Sequence, residues 1–381
     1  MTCTHPTPTF APRRLRAGCT LPEVMVVMMV VATTMSIVML GAQTGGKIVS
    51  DAKGKGRLMD QQRVAINTLA RDLQHKHFLE DGRPNGRERL SDHRTDQLRI
   101  DPTTKKIVGY KPPRGGYFLT SSTPPDGISN FNEGADSELI NSSRSGNHFV
   151  QFTIIVPGGA PQDTLTADVP FLNTKPITFH AAEVSYFLVF DGLTPGGVKK
   201  YKLIRRQRCC AMNQYDAREY SALLAPPNPA VPTADSSQVI AVNSGTTVLS
   251  LSDLTLPANR LGGAPPPVPQ RVAIDTMRIG DDILLTNVVS FELKYTGSSA
   301  VGWPRPFGPA NTDFPYDTLP FNNQYDTFHQ GTDWDNPANL AVGATSAGAL
   351  KPIRITGVLI RVRCWDPKSK NMRQTTLEVN L

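Results

Sequence analysis

Residues 13–42 read RRLRAGCTLPEVMVVMMVVATTMSIVMLGA, a basic cluster followed by an apolar run from Val24 to Leu40 broken only by Ala32, Thr33, Thr34 and Ser36. With Gly41 and Ala42 behind it, the segment 22–42 reaches the roughly 20 residues, about 30 Å of helical rise, that a bilayer-spanning helix needs. The stretch predicts one membrane helix. Arg13, Arg14 and Arg16 precede it, and no further cation follows before Lys47. By the positive-inside rule the N-terminus stays cytoplasmic and the C-terminal body crosses the membrane.

Glu23 does not fit an ordinary anchor. An ionised carboxylate at the start of an apolar helix costs up to a few kcal/mol if lipid surrounds it. The first turn softens that cost, because its free N–H groups and partial positive charge favour an acid. Pro22 suits the same turn, where a missing N–H breaks no hydrogen bond.

Gly18-Cys19-Thr20-Leu21-Pro22-Glu23, with arginines before and the apolar helix after, resembles the prepilin cleavage and methylation signal of type IV pilin-like proteins. The resemblance implies that a membrane aspartic peptidase, the prepilin peptidase, cuts after Gly18 on the cytoplasmic side and methylates the new N-terminus on Cys19. Residues 1–18 are then a leader whose orientation Arg13, Arg14 and Arg16 set. The amine of Cys19 would lie four residues, or about 6 Å of helical rise, from the Glu23 carboxylate. When related helices pack side by side with an axial stagger, the carboxylate of one meets the amine of the next, and a costly charge becomes a register-setting pair. The sequence departs from the family at its first mature residue, which is usually phenylalanine and here is Cys19.

Three other signals compete with that reading. Leu15-Arg16-Ala17-Gly18-Cys19 has the look of a lipobox, but a lipobox follows its apolar stretch and here the stretch comes afterwards. Arg13-Arg14 suggests a twin-arginine signal, although paired arginines before an apolar helix are common. An ordinary secretory signal wants small residues at both −1 and −3, and Leu40-Gly41-Ala42 supplies only the first.

The 381 residues hold one large or two modest domains. Apolar residues make up 39% and charged residues 19%, while 32 Pro and 30 Gly call for long loops and a β-rich body. Three of the seven net positive charges sit in the leader, and no Lys/Arg stripe with interleaved aromatics appears, so nucleic acid is not an expected partner. The five cysteines, Cys3, Cys19, Cys209, Cys210 and Cys364, form no C-x-x-C pair and no zinc spacing. Outside the cytoplasm either Cys209 or Cys210 could bridge to Cys364; free, partly buried thiols are the equal alternative.

Past the anchor, 50–80 is helix-permissive, with Leu58, Ala65, Ile66, Leu69 and Leu73 recurring near helical spacing. Gly45, Gly46, Gly54 and Gly56 intervene, each costing a helix about 1 kcal/mol relative to alanine, and predict a melted joint. The body, 82–381, reads as short strands at 96–100, 149–156, 184–190, 201–206, 288–295, 353–363 and 375–379. Alternation in the last long run fits a half-buried antiparallel sheet. The loop 191–197 predicts a hairpin with a long turn. Segments 222–270, rich in Pro, Ala, Ser and Gly, and 300–345 read as surface insertions. The predicted class is α+β: a long N-terminal helix, with the pilin-like part at 19–80, then an antiparallel sheet with long loops.

The order of strands at 183–187, 201–206 and 291–295, a Trp334-containing loop and a closing strand at 350–363 is similar to the J-type minor pseudopilins of type II secretion. That likeness implies a structural, non-enzymatic subunit of the bacterial inner membrane with a periplasmic body. Its implied partners are I- and K-type minor subunits, the major pseudopilin and the inner-membrane assembly platform. The alternative is an exported, membrane-anchored binding or enzymatic β-domain behind an ordinary secretory signal.

No G-x-S-x-G elbow, H-E-x-x-H pair or phosphate loop occurs. Asp92-His93 carries no motif, and His75 and His77, two apart on the expected helix, read as a solvated polar face. Asp326, Asp333, Asp335 and Asn336 around Trp334 offer hard oxygen ligands for calcium, but match no EF-hand spacing. No metal and no cofactor are therefore expected.

Overall fold

The computed structural model describes residues 20–79, 87–92, 98–100, 103, 107–110, 113–121, 148–157, 164–167, 177–224, 239–243, 247–261, 281–298, 324–327 and 354–381. The chain divides into two compact units, Met1–Gly54 and Lys55–Leu381. Helix α1, Leu21–Gln74, contributes to both. Its backbone is helical through Gly45, Gly46, Gly54 and Gly56, so the expected melted joint is not formed. The unbroken hydrogen-bond ladder on either side outweighs a glycine cost of about 1 kcal/mol each.

The second unit is built on β-strands. Three small ribbons pair β1 (Phe78–Leu79) with β2 (Arg87–Glu88), β3 (Leu98–Ile100) with β4 (Ile107–Tyr110), and β7 (Leu165–Ala167) with β8 (Ile177–Phe179). The main sheet comprises β5 (Phe118–Ser121), β6 (Phe149–Ile155), β9 (Ala181–Leu193), β10 (Lys199–Cys210), β11 (Asp281–Ser298), β12 (Gln324–Asp326), β13 (Arg354–Asp366) and β14 (Asn371–Asn380). Its spatial order is β12-β5-β6-β9-β10-β11-β13-β14, with every neighbouring pair antiparallel. The class is α+β, and each of the seven expected strands overlaps an observed one.

The expected hairpin joins β9 to β10, paired from Leu193 opposite Lys199 to Ala181 opposite Cys210 with one register shift between Lys200 and Tyr201. Its turn closes on Thr194, whose N–H donates to the Val198 carbonyl at 2.7 Å and whose Oγ1 accepts from the Val198 N–H at 3.0 Å. Gly197 takes φ +82, a left-handed conformation that glycine enters without a Cβ penalty.

Within the second unit, α1 lies on one face of the sheet. Ala65, Ile66, Leu69 and Leu73, at the helical spacing seen in the sequence, are each at most 2% exposed. They meet Phe152, Val184, Tyr186, Leu203, Phe291 and Ile360 in one cluster. Burying Ile66, Leu69 and Leu73 contributes roughly 6 kcal/mol, an upper estimate because the unfolded chain already hides some of this surface.

Two polar contacts fix where the helix sits on that apolar bed. Gln62 donates Nε2 to the Arg373 carbonyl at 3.1 Å and accepts from Thr375 Oγ1 at 2.8 Å. Asp72 Oδ2 accepts from Tyr186 OH at 2.6 Å and Arg205 Nε at 2.7 Å. A buried ion pair roughly breaks even against apolar replacements, so the grease docks the helix and the carboxylate selects its register.

The opposite face is covered too along β6 and β9, beyond the half-buried pattern expected from the closing strands. All seven residues of β6 are buried, as are the first eight of β9. The cover comes from the segment expected to be a surface insertion. Helix α2 (Gln214–Leu224) leads into it, and Ala241, Leu249, Leu251, Leu254 and Leu261 pack on Phe149, Phe187 and Ile204. The short helix α3 (Leu251–Leu254) starts from a capping box in which Ser250 and Asp253 satisfy each other's backbone N–H groups. Pro/Ser-rich flanks obscured five apolar residues that the sheet needs. Of the second expected insertion, 300–345, only 324–327 lies among the described residues.

Candidate functional site at the head of the N-terminal helix

Glu23 sits in the first turn of α1, exposed, and its backbone N–H donates to the Thr20 carbonyl at 3.0 Å. No side chain among the described residues bonds its carboxylate. Pro22 is the second residue of the helix, where proline removes no intrahelical bond. The other expected members of the site, Gly18, Cys19, Arg13, Arg14 and Arg16, lie outside the described residues.

Behind Glu23 the helix shows apolar side chains on every side. Every residue from 20 to 49 is exposed, with the large apolar ones between Leu21 and Leu40 from 47% to 76%. Exposed apolar surface of this extent demands a cover of lipid or protein. Among the described residues α1 is the one helix long and apolar enough to cross a membrane. Its hydroxyls do not spoil that character. Thr33, Thr34, Ser36 and Thr44 donate to carbonyls three or four residues earlier at 2.7–3.0 Å, so none needs an outside partner.

Among the described residues, the charged side chains of β10 find partners within the body. Strand β10 is locally basic, yet Lys202 meets Asp191 at 2.9 Å and Arg205 meets Asp72. Arg206 makes two 2.6 Å bonds to Asp281 while lying over the Phe187 ring. Lys200 bonds Asn287 at 3.2 Å.

The densest polar cluster centres on Glu183. Its Oε2 accepts from Arg208 Nε at 2.7 Å and from the same guanidinium's Nη2. Its Oε1 accepts from Gln151 Nε2 at 2.7 Å, from the Leu261 N–H at 2.9 Å and from Tyr117 OH. Burial, then the Glu183 charge, push the Tyr117 phenol well above its ordinary value, so it stays a donor. Arg260 stacks 4.0 Å from the Tyr117 ring centre. With every lone pair engaged, the cluster ties the 239–261 cover to the sheet and leaves no group aimed at a ligand. Glu183 and Arg208 stand 25 residues apart in sequence and Asp72 and Arg205 stand 133 apart, beyond the reach of local pattern.

The cysteine pairing does not form. Cys209, Cys210 and Cys364 are free and buried. Val288 of β11 stands between β10 and β13, opposite Tyr201 on one side and Cys364 on the other. Cys209 is eight residues farther along β10, about 26 Å away at strand rise, far beyond the roughly 7 Å Cα separation a disulfide tolerates. Burial pushes the Cys209 and Cys364 thiols up to about 12, and Cys210 also upward, so all three stay protonated.

His77 corrects the expectation of a solvated histidine face. The helix ends at Gln74, and His77 is 0% exposed while His75 is half-buried. Asp92 is exposed, and His93, Asp333, Trp334, Asp335 and Asn336 lie outside the described residues. Among the described residues no group of three His, Cys, Asp or Glu side chains is placed to hold a metal ion. Comparison with protein-family models, with curated proteins and with solved structures finds no match to this chain.

Proposed function

We propose that this chain is a pilin-like structural subunit, a minor pseudopilin of a type II secretion or type IV pilus-like filament. Residues 22–42 anchor it in the bacterial inner membrane, with the β-body in the periplasm. Prepilin peptidase trims it after Gly18 and methylates Cys19. It acts at filament initiation or at the tip, beside I- and K-type minor subunits, the major pseudopilin and the assembly platform.

The observation that carries this reading is Glu23, an acid in the first turn of a helix that is otherwise apolar and exposed through its first 20 residues. A lone anchor gains nothing from that charge, whereas a helix that must find the amine of a neighbour gains register. The docking of the same helix on an antiparallel sheet supports the reading.

Mass spectrometry of the mature N-terminus tests the processing step. A methylated Cys19 is expected. A start near residue 43 would instead mark an ordinary secretory signal and an exported binding or enzymatic domain. Glu23→Val should leave insertion and cleavage intact but cut recovery of sibling subunits about tenfold, equivalent to about 1.4 kcal/mol. Unchanged co-purification would remove the assigned role of the carboxylate.

A further inference from the structure

Two imidazoles are sealed inside the body, and the backbone makes opposite demands on them. His148, 5% exposed, accepts the Leu293 N–H at Nδ1 over 3.0 Å. That bond requires a lone pair, so His148 is neutral with its proton on Nε2, and burial pushes its pKa down to about 4.

His77 meets only acceptors. Its Nδ1 lies 2.7 Å from the Thr153 carbonyl oxygen and its Nε2 lies 3.0 Å from that of Leu73. A neutral imidazole has one N–H, so its second nitrogen would turn a lone pair toward a carbonyl oxygen at hydrogen-bond distance. The imidazolium alone satisfies both. The ring has no room to swing aside: Phe152, Phe78 and Phe118 meet it edge-on with centroids 5.1, 6.0 and 6.2 Å away. Its backbone is held as well, the N–H by the Glu88 carbonyl at 2.8 Å and the carbonyl by Thr153 Oγ1 at 2.7 Å.

We propose that His77 is a proton-operated clasp between the last turn of α1 and strand β6: the protonated ring bridges the Leu73 and Thr153 carbonyls, and loss of the proton leaves one of them unmade. Leu73 belongs to the last turn of the helix and Thr153 to the buried strand, so the bridge fastens the C-terminal end of α1 to the sheet within the second unit.

The charged groups around the ring are few. Asp72, on α1, is held by Tyr186 and by Arg205 of β10, and His75 follows the helix end. From β1, β5 and β6 the ring meets Phe78, Phe118 and Phe152, which carry no charge. Burial holds the His77 pKa below its ordinary value, while the two carbonyls and Asp72 pull it back and His75 pushes it down. A folded pKa below the unfolded one means that overall stability is lost as pH falls from about 6.5 toward the folded value. The clasp acts in the other direction where the helix end lifts while Phe78, Phe118 and Phe152 still enclose the ring. That opening removes a carbonyl that pulls the pKa up without returning the ring to water, so the pKa is lower open than closed and acid favours closure. The two effects separate because one is read in global unfolding and the other in opening of the helix end.

The test uses the full chain in detergent micelles, titrated between about pH 7.5 and 4.5. Histidine side-chain NMR should show His77 passing from one N–H to two, both exchanging slowly. Deuterium uptake by the peptide covering residues 66–79, corrected for intrinsic rates, should fall about threefold or more over the same pH interval. His77→Gln, which keeps only one donor group, should abolish that pH dependence. If the variant does not fold, the wild-type titration decides alone. A ring that stays neutral throughout, or uptake that is unchanged or rises as the ring protonates, overturns the proposal.

Discussion

Glu183→Gln will lower the unfolding free energy of the body by about 3–5 kcal/mol, the cost of leaving a buried charge without its counter-ion. The carboxylate is 1% exposed and Arg208 opposite it 8%. Glutamine keeps the volume but removes the charge and places an NH2 group among donors. With five bonds arriving at the two oxygens, at least one partner faces that group. The loss should appear in the denaturant midpoint, with near-native spectra in buffer.

The companion experiment is the pair Glu183→Leu with Arg208→Leu, expected to recover most of the stability, since apolar replacement of a buried pair is often neutral or better. Should the single change cost under about 1 kcal/mol, water must reach the cluster and the account of it as a sealed tie would be wrong.

Gly116→Ala is the second severe change. At φ +88 the residue is left-handed, and a Cβ there would stand 2.2 Å from the His77 carbonyl oxygen and 2.6 Å from Thr153 Oγ1. Neither atom is free to move. Thr153 Oγ1 donates to that same carbonyl and accepts the Tyr117 N–H at 3.0 Å, while the Gly116 N–H donates to the Leu251 carbonyl at 2.8 Å. Backbone strain of about 1–2 kcal/mol adds to the displacement of this network, for an expected loss of about 4 kcal/mol or more. Gly197→Ala supplies the control. It is also left-handed, at φ +82, but an added Cβ meets nothing within 4 Å, so only the backbone strain of about 1–2 kcal/mol should be seen. Equal losses at the two glycines would mean that the crowding at Gly116 relaxes.

How far these features could be read in advance depended on the range of the interaction behind them. The stripe Ala65, Ile66, Leu69 and Leu73 repeats at helical spacing, and the β9–β10 hairpin announces itself by a glycine-rich turn between two apolar strands, so both were visible locally. Strands β5 and β12 are four and three residues long, too short for alternation to register. The apolar residues Ala241, Leu249, Leu251, Leu254 and Leu261 were hidden by the polar and proline-rich chain around them. His77, beside His75 and Lys76, looked solvated because burial is set by Phe118 and Phe152, residues dozens of positions away. At the candidate site the lone acid of an apolar run was legible in Glu23. The ion pairs Asp72–Arg205 and Glu183–Arg208 were not, since the first forms only when α1 docks on the sheet and the second only when β9 pairs with β10.

The hydroxyls of Thr33, Thr34, Ser36 and Thr44 all turn inward to the helix's own carbonyls. A segment wired this way is indifferent to which oily medium surrounds it: exchanging acyl chains for the flanks of other helices breaks no polar bond and re-forms none. Such a transfer costs only the difference between two kinds of dispersion contact, which is small. Between Leu21 and Leu40, Glu23 is then the single residue able to tell one environment from the other.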